Sequence, residues 1–70
     1  EEQRQVREVL SRMKTRDAEL LLLRNNDLRY EEIAAALRLN PASVGTLIAR
    51  AREAFRKEYV NLYGEPRLGR

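Results

Sequence analysis

The chain has no cysteine and no histidine, and its 70 residues include only three glycines and two prolines. Without cysteine it can form neither disulfides nor thiolate metal sites, which is compatible with a reducing compartment. It also lacks an apolar run near the roughly 20 residues of a membrane span, and it has no signal-peptide segment. We therefore expect a cytoplasmic domain that uses no membrane, metal or cofactor.

The same absences argue against catalysis. The sequence offers no histidine or cysteine as nucleophile or base, and no glycine-rich loop that would hold a phosphate group. Within the helical patterns its acidic residues include the adjacent pair Glu31 and Glu32, which point to different sides of a helix. This pair fits the first turn of a helix, where carboxylates interact with the helix dipole, better than it fits an acid and base pair. We expect the protein not to be an enzyme.

The length is that of one small domain. A chain of 70 residues buries only about 60% of its unfolded surface, so its hydrophobic core is thin. Because the sequence starts at Glu1 rather than at methionine, we expect it to be part of a longer protein. Gly64 and Pro66 end the last helical pattern. We assign residues 1–63 to the domain and residues 64–70 to a polar C-terminal tail.

The spacing of apolar residues predicts an all-α fold with four helices. Apolar positions recur at i, i+3 and i+4 in four segments, and no segment alternates as a strand does. The second segment is expected to start with Thr15 as its N-cap, and the fourth with Asn40 as N-cap before Pro41. We expect breaks near residue 14, at 26–29 and at 38–40. The apolar positions are Val6, Val9, Leu10 and Met13, then Leu20 to Leu23, then Tyr30, Ile33, Ala34 and Leu37, and finally Val44, Ile48, Ala51, Phe55, Tyr59 and Leu62.

Positive charge is concentrated in the second half of the chain. Residues 1–37 contain seven Lys/Arg and eight Asp/Glu, for a net charge of −1, whereas residues 38–70 contain seven and three, for +4. A basic half of this kind is expected of a protein that binds a polyanion. The alternative is a solvated surface that is rich in arginine.

The fourth segment has small outward side chains near its start and charged ones further along. Short side chains allow a helix to approach base edges in the major groove, and the free N–H groups at its start suit a phosphate. The short third segment and the tight turn between the third and fourth segments complete the pattern. Together they predict a helix-turn-helix that binds duplex DNA. A plain helical hairpin in a bundle is the alternative. The outward positions are Ala42, Ser43, Thr46, Ala49, Arg50 and Glu53.

The run TRDAELLLLRNNDLRYEEIAAALRLNPASVGTLIARAREAFRKEY resembles the C-terminal DNA-binding domain, region 4, of bacterial sigma-70 family sigma factors. It is most similar to the extracytoplasmic-function group. The matching features are a Leu-rich helix ending in Leu-Arg, the Tyr-Glu-Glu-Ile-Ala run, an Ala-Leu pair, a Ser-Val start of the recognition helix, and Arg-Ala-Arg before a bulky residue. The resemblance covers about residues 6–60 and implies recognition of the −35 promoter element in transcription initiation.

The resemblance also implies roles for individual residues and partners. The surface of the first two helices would meet the flap of the RNA polymerase β subunit, with Leu20, Leu21 and Leu23 as contact residues. An anti-sigma protein is a further partner that would cover the same surfaces. The positions near DNA bases are Asn40, Ala42, Ser43, Thr46 and Arg50, and those near backbone phosphates are Arg24, Arg29, Tyr30 and Arg52.

The chain departs from the family pattern at three positions. It has Arg38 where family members often have glycine, and Gly45 and Leu47 where they often have lysine or arginine. A glycine within a helix costs about 1 kcal/mol of helix stability relative to alanine. Gly45 is therefore either kept because a larger side chain would collide with DNA, or it is a tolerated loss of stability.

Two other functional classes compete with the sigma-factor interpretation. One is the helix-turn-helix domain of LuxR-type response regulators, against which the basic ending Arg50-Ala51-Arg52 argues. The other is a protein-interaction bundle that never contacts nucleic acid. Phosphate contacts make DNA affinity fall steeply with salt, so a salt titration separates the second class from a DNA-binding domain.

Overall fold

Four α-helices joined by short turns make up the fold, in a computed structural model that describes residues 2–65. Helix α1 spans Glu2–Ser11, α2 spans Thr15–Asn25, α3 spans Tyr30–Leu37 and α4 spans Pro41–Tyr63. The prediction of an all-α domain with four helices is confirmed, and the breaks fall where the loop residues predicted them. Of the predicted tail, Gly64 and Glu65 are described, and residues 66–70 lie outside the described residues, as does residue 1.

Helix α4 is the central element, because it packs against each of the other three helices. Its buried residues Val44, Ile48 and Ala51 form one cluster with residues of α2 and α3. All members of this cluster are apolar, and no polar side chain is buried within residues 3–65. Full burial of a Leu, Ile or Val side chain contributes about 1.5–3 kcal/mol relative to exposure. The partners of α4 in this cluster are Leu20, Ile33 and Ala34.

The turns before and after α3 use the same backbone device. Asp27 and Arg38 have φ angles of 65° and 58°, in the left-handed region. In each turn the amide of the next residue, Leu28 or Leu39, donates to the carbonyl five residues earlier, at 3.3 and 2.8 Å respectively. This hydrogen bond is that of a Schellman ending, which directs the chain away from the helix axis. Both leucines then pack against the core, so the two turns fix α3 between α2 and α4.

Helix α4 begins as its sequence predicts. The Oδ1 atom of Asn40 accepts a hydrogen bond from the backbone N–H of Ala42 at 2.9 Å, and proline is the first helical residue. The cap satisfies one of the N–H groups that a helix start leaves without a partner. The start of the recognition helix is therefore fixed locally by the Asn-Pro pair.

Two details at the first turn differ from the sequence expectation. Thr15 is the first residue of α2 and not its N-cap, a position that Lys14 occupies without a side-chain cap. The reason is that the Lys14 carbonyl already accepts a backbone hydrogen bond from the residue four positions later, at 3.0 Å. Met13 lies beyond the end of α1 at Ser11, so it does not extend the apolar stripe of that helix.

The left-handed conformation of Arg38 predicts a stabilising substitution. A residue with a Cβ in this conformation is strained by about 1–2 kcal/mol, and glycine is not, although glycine loses more backbone entropy on folding. Arg38→Gly should therefore raise the melting temperature by a few degrees, measured by the helical circular dichroism signal. Arg38→Ala is the matched control, because it removes the same charge and keeps the strain. Equal melting temperatures for the two variants would show that φ at this position does not limit stability.

Candidate nucleic-acid interface

The first half of α4 presents an exposed face that contains no acidic residue between Pro41 and Arg52. This face lies opposite the buried side of the helix and brings all five predicted base-reading residues to one surface. Small side chains come first along it and an arginine follows two turns later. The cap uses the Oδ1 atom of Asn40, so only the amide N–H groups of that side chain can donate outward. The five exposed residues are Asn40, Ala42, Ser43, Thr46 and Arg50.

Three of the four predicted phosphate-binding residues are neighbours along one side of this face. The guanidinium carbon of Arg24 lies 5.4 Å from the centroid of the Tyr30 ring, over its face. The Nη1 atom of the same arginine donates to the carbonyl oxygen of Leu28 at 2.8 Å. Arg24 and Arg52 line the same groove. Helices α2, α3 and α4 therefore each contribute one of these three residues.

Arg29, the fourth predicted phosphate-binding residue, has acidic neighbours. Its backbone N–H donates to Oε1 of Glu32 at 2.7 Å, and its Nε lies 3.9 Å from the same oxygen. The two side chains are 77% and 50% exposed, so water screens this pair, and such pairs contribute about 0.2–1 kcal/mol. Glu31 lies in the same helical turn. The carboxylates lower the positive potential around Arg29, a feature that the sequence reasoning did not take into account.

Packing within the domain explains the glycine in the recognition helix. A Cβ atom at Gly45 would lie 3.3 Å from Cε2 of the Tyr30 ring, which is tighter than nine in ten contacts that Cβ atoms make. The same atom would lie 4.0 Å from the phenol Cζ and oxygen of that ring. The tyrosine thus occupies the space that a side chain at position 45 would fill. Neither sequence-based explanation of Gly45 included this neighbour from α3.

The assignment of Leu20 to the partner surface is wrong. Its side chain is 0% exposed and lies in the core, so it cannot contact another protein. Leu21 and Leu23 are half-buried and pack against the core. The leucine that faces solvent is Leu22, which is 48% exposed and which the sequence reasoning missed. The residues three and four positions from it are small or polar, but the same is true of Leu21, so the spacing alone does not single out Leu22.

An apolar groove of about 590 Å³ runs beside these leucines, between α1, α2 and α4. Leu21 and Leu22 line it from α2, and Val6, Leu10 and Phe55 line it from the other two helices. Arginine and aspartate side chains at the end of α2 also line the groove. The groove is therefore an apolar surface next to the positively charged side of the recognition helix.

Within residues 2–65, no group of three or more acidic, histidine or cysteine side chains is placed to hold a metal ion. None of the helices in this part of the chain is long and apolar enough to cross a membrane.

Comparison with known proteins gives one informative result. Neither the curated proteins nor the solved structures contained a significant match to the chain. A family model described as "Sigma-70, region 4" matches residues 3–55, from α1 through the exposed face of α4. This match covers more than half of the chain and favours the sigma-factor interpretation over the LuxR-type alternative. The chain therefore belongs to the sigma-70 region 4 family, whose helix-turn-helix domain recognises the −35 element of promoters.

Proposed function

We propose that this domain belongs to a sigma factor of the extracytoplasmic-function group and acts in the cytoplasm without enzymatic activity. Region 4 is a DNA-binding regulatory domain that works with promoter DNA and RNA polymerase. The observation that carries the proposal is the exposed, acid-free face of α4 with arginines along one side. The domain is proposed to span residues 1–63, since α4 continues to Tyr63, with residues 64–70 as its tail.

In this proposal the first half of α4 enters the major groove. Ser43 and Thr46 each give or accept one hydrogen bond with a base edge, and Ala42 contacts a thymine methyl group. Arg50 can donate two hydrogen bonds to a guanine. Leu47 does not take part in base contacts, because it is half-buried and packs against the core. Few side chains are then left to read bases, so the domain alone has modest specificity.

Contacts to the DNA backbone supply most of the affinity in this proposal. Arg24 and Arg52 donate to phosphates on the side of α4 that carries Tyr30, and their exposure leaves donors available. Arg29 contributes less, because a carboxylate of the same turn lies beside it. These contacts carry no sequence information of their own, and they position α4 in the groove.

The proposed polymerase contact is the flap of the β subunit. Leu22 and the groove beside it offer an apolar surface, and this supports docking of a protein partner on α1 and α2. An anti-sigma protein is proposed to cover the same surface. Attachment to the polymerase raises the effective concentration of the domain at the promoter, which compensates for modest specificity.

Arg52→Ala tests the phosphate contacts. The variant should weaken duplex binding similarly for all DNA sequences and lower the salt slope by about one contact, since a phosphate contact is lost. Binding is measured by fluorescence anisotropy across a salt series. Arg12→Ala is the matched control, because Arg12 is also exposed but pairs with Glu8 on the α1 side of the domain. A loss confined to one DNA sequence would make Arg52 a base-reading residue instead.

Arg50→Ala tests base reading. If Arg50 binds a guanine, the variant should lose about 1–3 kcal/mol on the preferred site and become less selective at that base pair. The preferred site comes from selection of duplexes out of a random pool by the unmodified chain. Arg50→Lys is the control, because it keeps the charge and cannot form the paired hydrogen bonds. Equal selectivity of the unmodified chain and the two variants would contradict a base-reading role for Arg50. If no duplex is enriched from the random pool at low salt, the protein-interaction bundle is favoured instead.

Leu22→Glu tests the polymerase surface. A charge on this exposed apolar side chain should weaken binding to the isolated β flap by about tenfold or more, because the carboxylate would be buried in the contact. Duplex binding, measured in parallel, should fall much less, since Leu22 is not among the residues proposed to contact DNA. A variant that binds the flap as tightly as the unmodified chain would place the polymerase contact elsewhere.

A further inference from the structure

We propose that Gly45 and Tyr30 are positioning residues for Arg24. Gly45 leaves room for the Tyr30 ring, and the ring holds the Arg24 guanidinium where it donates to a DNA phosphate. The inference rests on the proposed DNA-binding function and adds to it a reason for the glycine. In this inference Tyr30 acts through Arg24 and is not itself a phosphate ligand.

Arg24 is held in place although its side chain is exposed. One guanidinium nitrogen, Nη1, donates to the carbonyl oxygen of Leu28 at 2.8 Å, and the guanidinium carbon lies 5.4 Å from the Tyr30 ring centroid. A guanidinium has five N–H donors, so this single hydrogen bond leaves others for a phosphate. A side chain that is already held loses less conformational freedom when DNA binds, and this strengthens binding.

The position of the Tyr30 ring depends on Gly45. The ring lies so close to α4 that a Cβ atom at position 45 would be 3.3 Å from Cε2. A larger side chain there requires the ring to shift by at least a few tenths of an ångström, and in this inference that shift weakens its contact with Arg24. Gly45 is not in a left-handed backbone conformation, so the nearby Tyr30 ring, and not the backbone, is the feature that limits the side chain at this position.

This arrangement brings the positive charge of Arg24, on α2, to one side of the recognition helix α4. Gly45 and Arg52 are seven residues apart, which places them on the same side of α4. Arg52 and Arg24 line one groove. The Tyr30 ring, which contacts both Arg24 and the Gly45 position, therefore links an arginine of α2 to this side of α4.

The test is a set of double-mutant cycles with the chain and a labelled duplex of random sequence at low salt. Arg24→Ala should reduce affinity roughly tenfold and lower the salt slope by about one. Tyr30→Ala should cause most of the same loss of affinity. Tyr30→Phe should keep the affinity of the unmodified chain, because the ring is kept. In the Arg24→Ala background, Tyr30→Ala should have no further effect. Tyr63→Ala is the matched control, since Tyr63 is 40% exposed and Tyr30 is 42% exposed.

Gly45→Leu completes the set and separates positioning from collision with DNA. The substitution adds no charge and no hydrogen-bonding group, and leucine is a good helix former. Its loss of affinity should disappear in the Arg24→Ala background, whereas a collision with DNA would persist there. Melting temperatures, measured in parallel, should not fall for this variant, so a loss of affinity does not reflect unfolding.

Several outcomes would overturn the inference while leaving the proposed function intact. If the unmodified chain binds duplex with a steep salt dependence but the effects of Tyr30→Ala and Arg24→Ala simply add, the two residues act independently. If Tyr30→Phe loses as much affinity as Tyr30→Ala, the hydroxyl group is a direct ligand. If the unmodified chain does not bind duplex at low salt, the proposed function fails and the inference fails with it.

Discussion

The packing of Val44, Ile48 and Ala51 against α2 and α3 is the contact on which the DNA-binding face depends. These residues occupy one side of α4 and are buried, so the opposite side has to face solvent. A rotation of the helix by one residue, about 100°, would bury part of the exposed face and expose part of the core. The hydrophobic core therefore determines which side chains of the recognition helix are available to DNA, although the core residues themselves are buried.

The two left-handed turns add the second constraint, which is the position of α3. Asp27 and Arg38 adopt a strained backbone, and each strain is offset by the burial of the leucine that follows. With α3 fixed in this way, its first residue, Tyr30, lies against Gly45 of α4. The same turns that complete the helix-turn-helix thus bring together the aromatic ring, the glycine and the arginine of the proposed phosphate contact.

Much of this arrangement follows from local sequence. The four helices and their breaks were predictable because apolar spacing and the Asn40-Pro41 pair act over a few residues. The exposed face of α4 followed from the same spacing. The fate of four consecutive leucines was not predictable in this way, because Leu20 and Leu22 point in opposite directions and only tertiary packing decides which is buried. The contact between Tyr30 and Gly45 was also missed, since it joins two helices and leaves no local pattern.

The central claim is that the exposed face of α4 and the adjacent arginines bind duplex DNA. Titration of the isotopically labelled chain with promoter duplex, followed by the backbone amide signals in nuclear magnetic resonance spectra, tests it most directly. The largest shifts should occur in residues 41–52 and at Arg24 and Tyr30, with small changes at Val6, Leu10 and Leu22. Shifts confined to those three apolar groove residues, or none at low salt, would contradict DNA binding by this face.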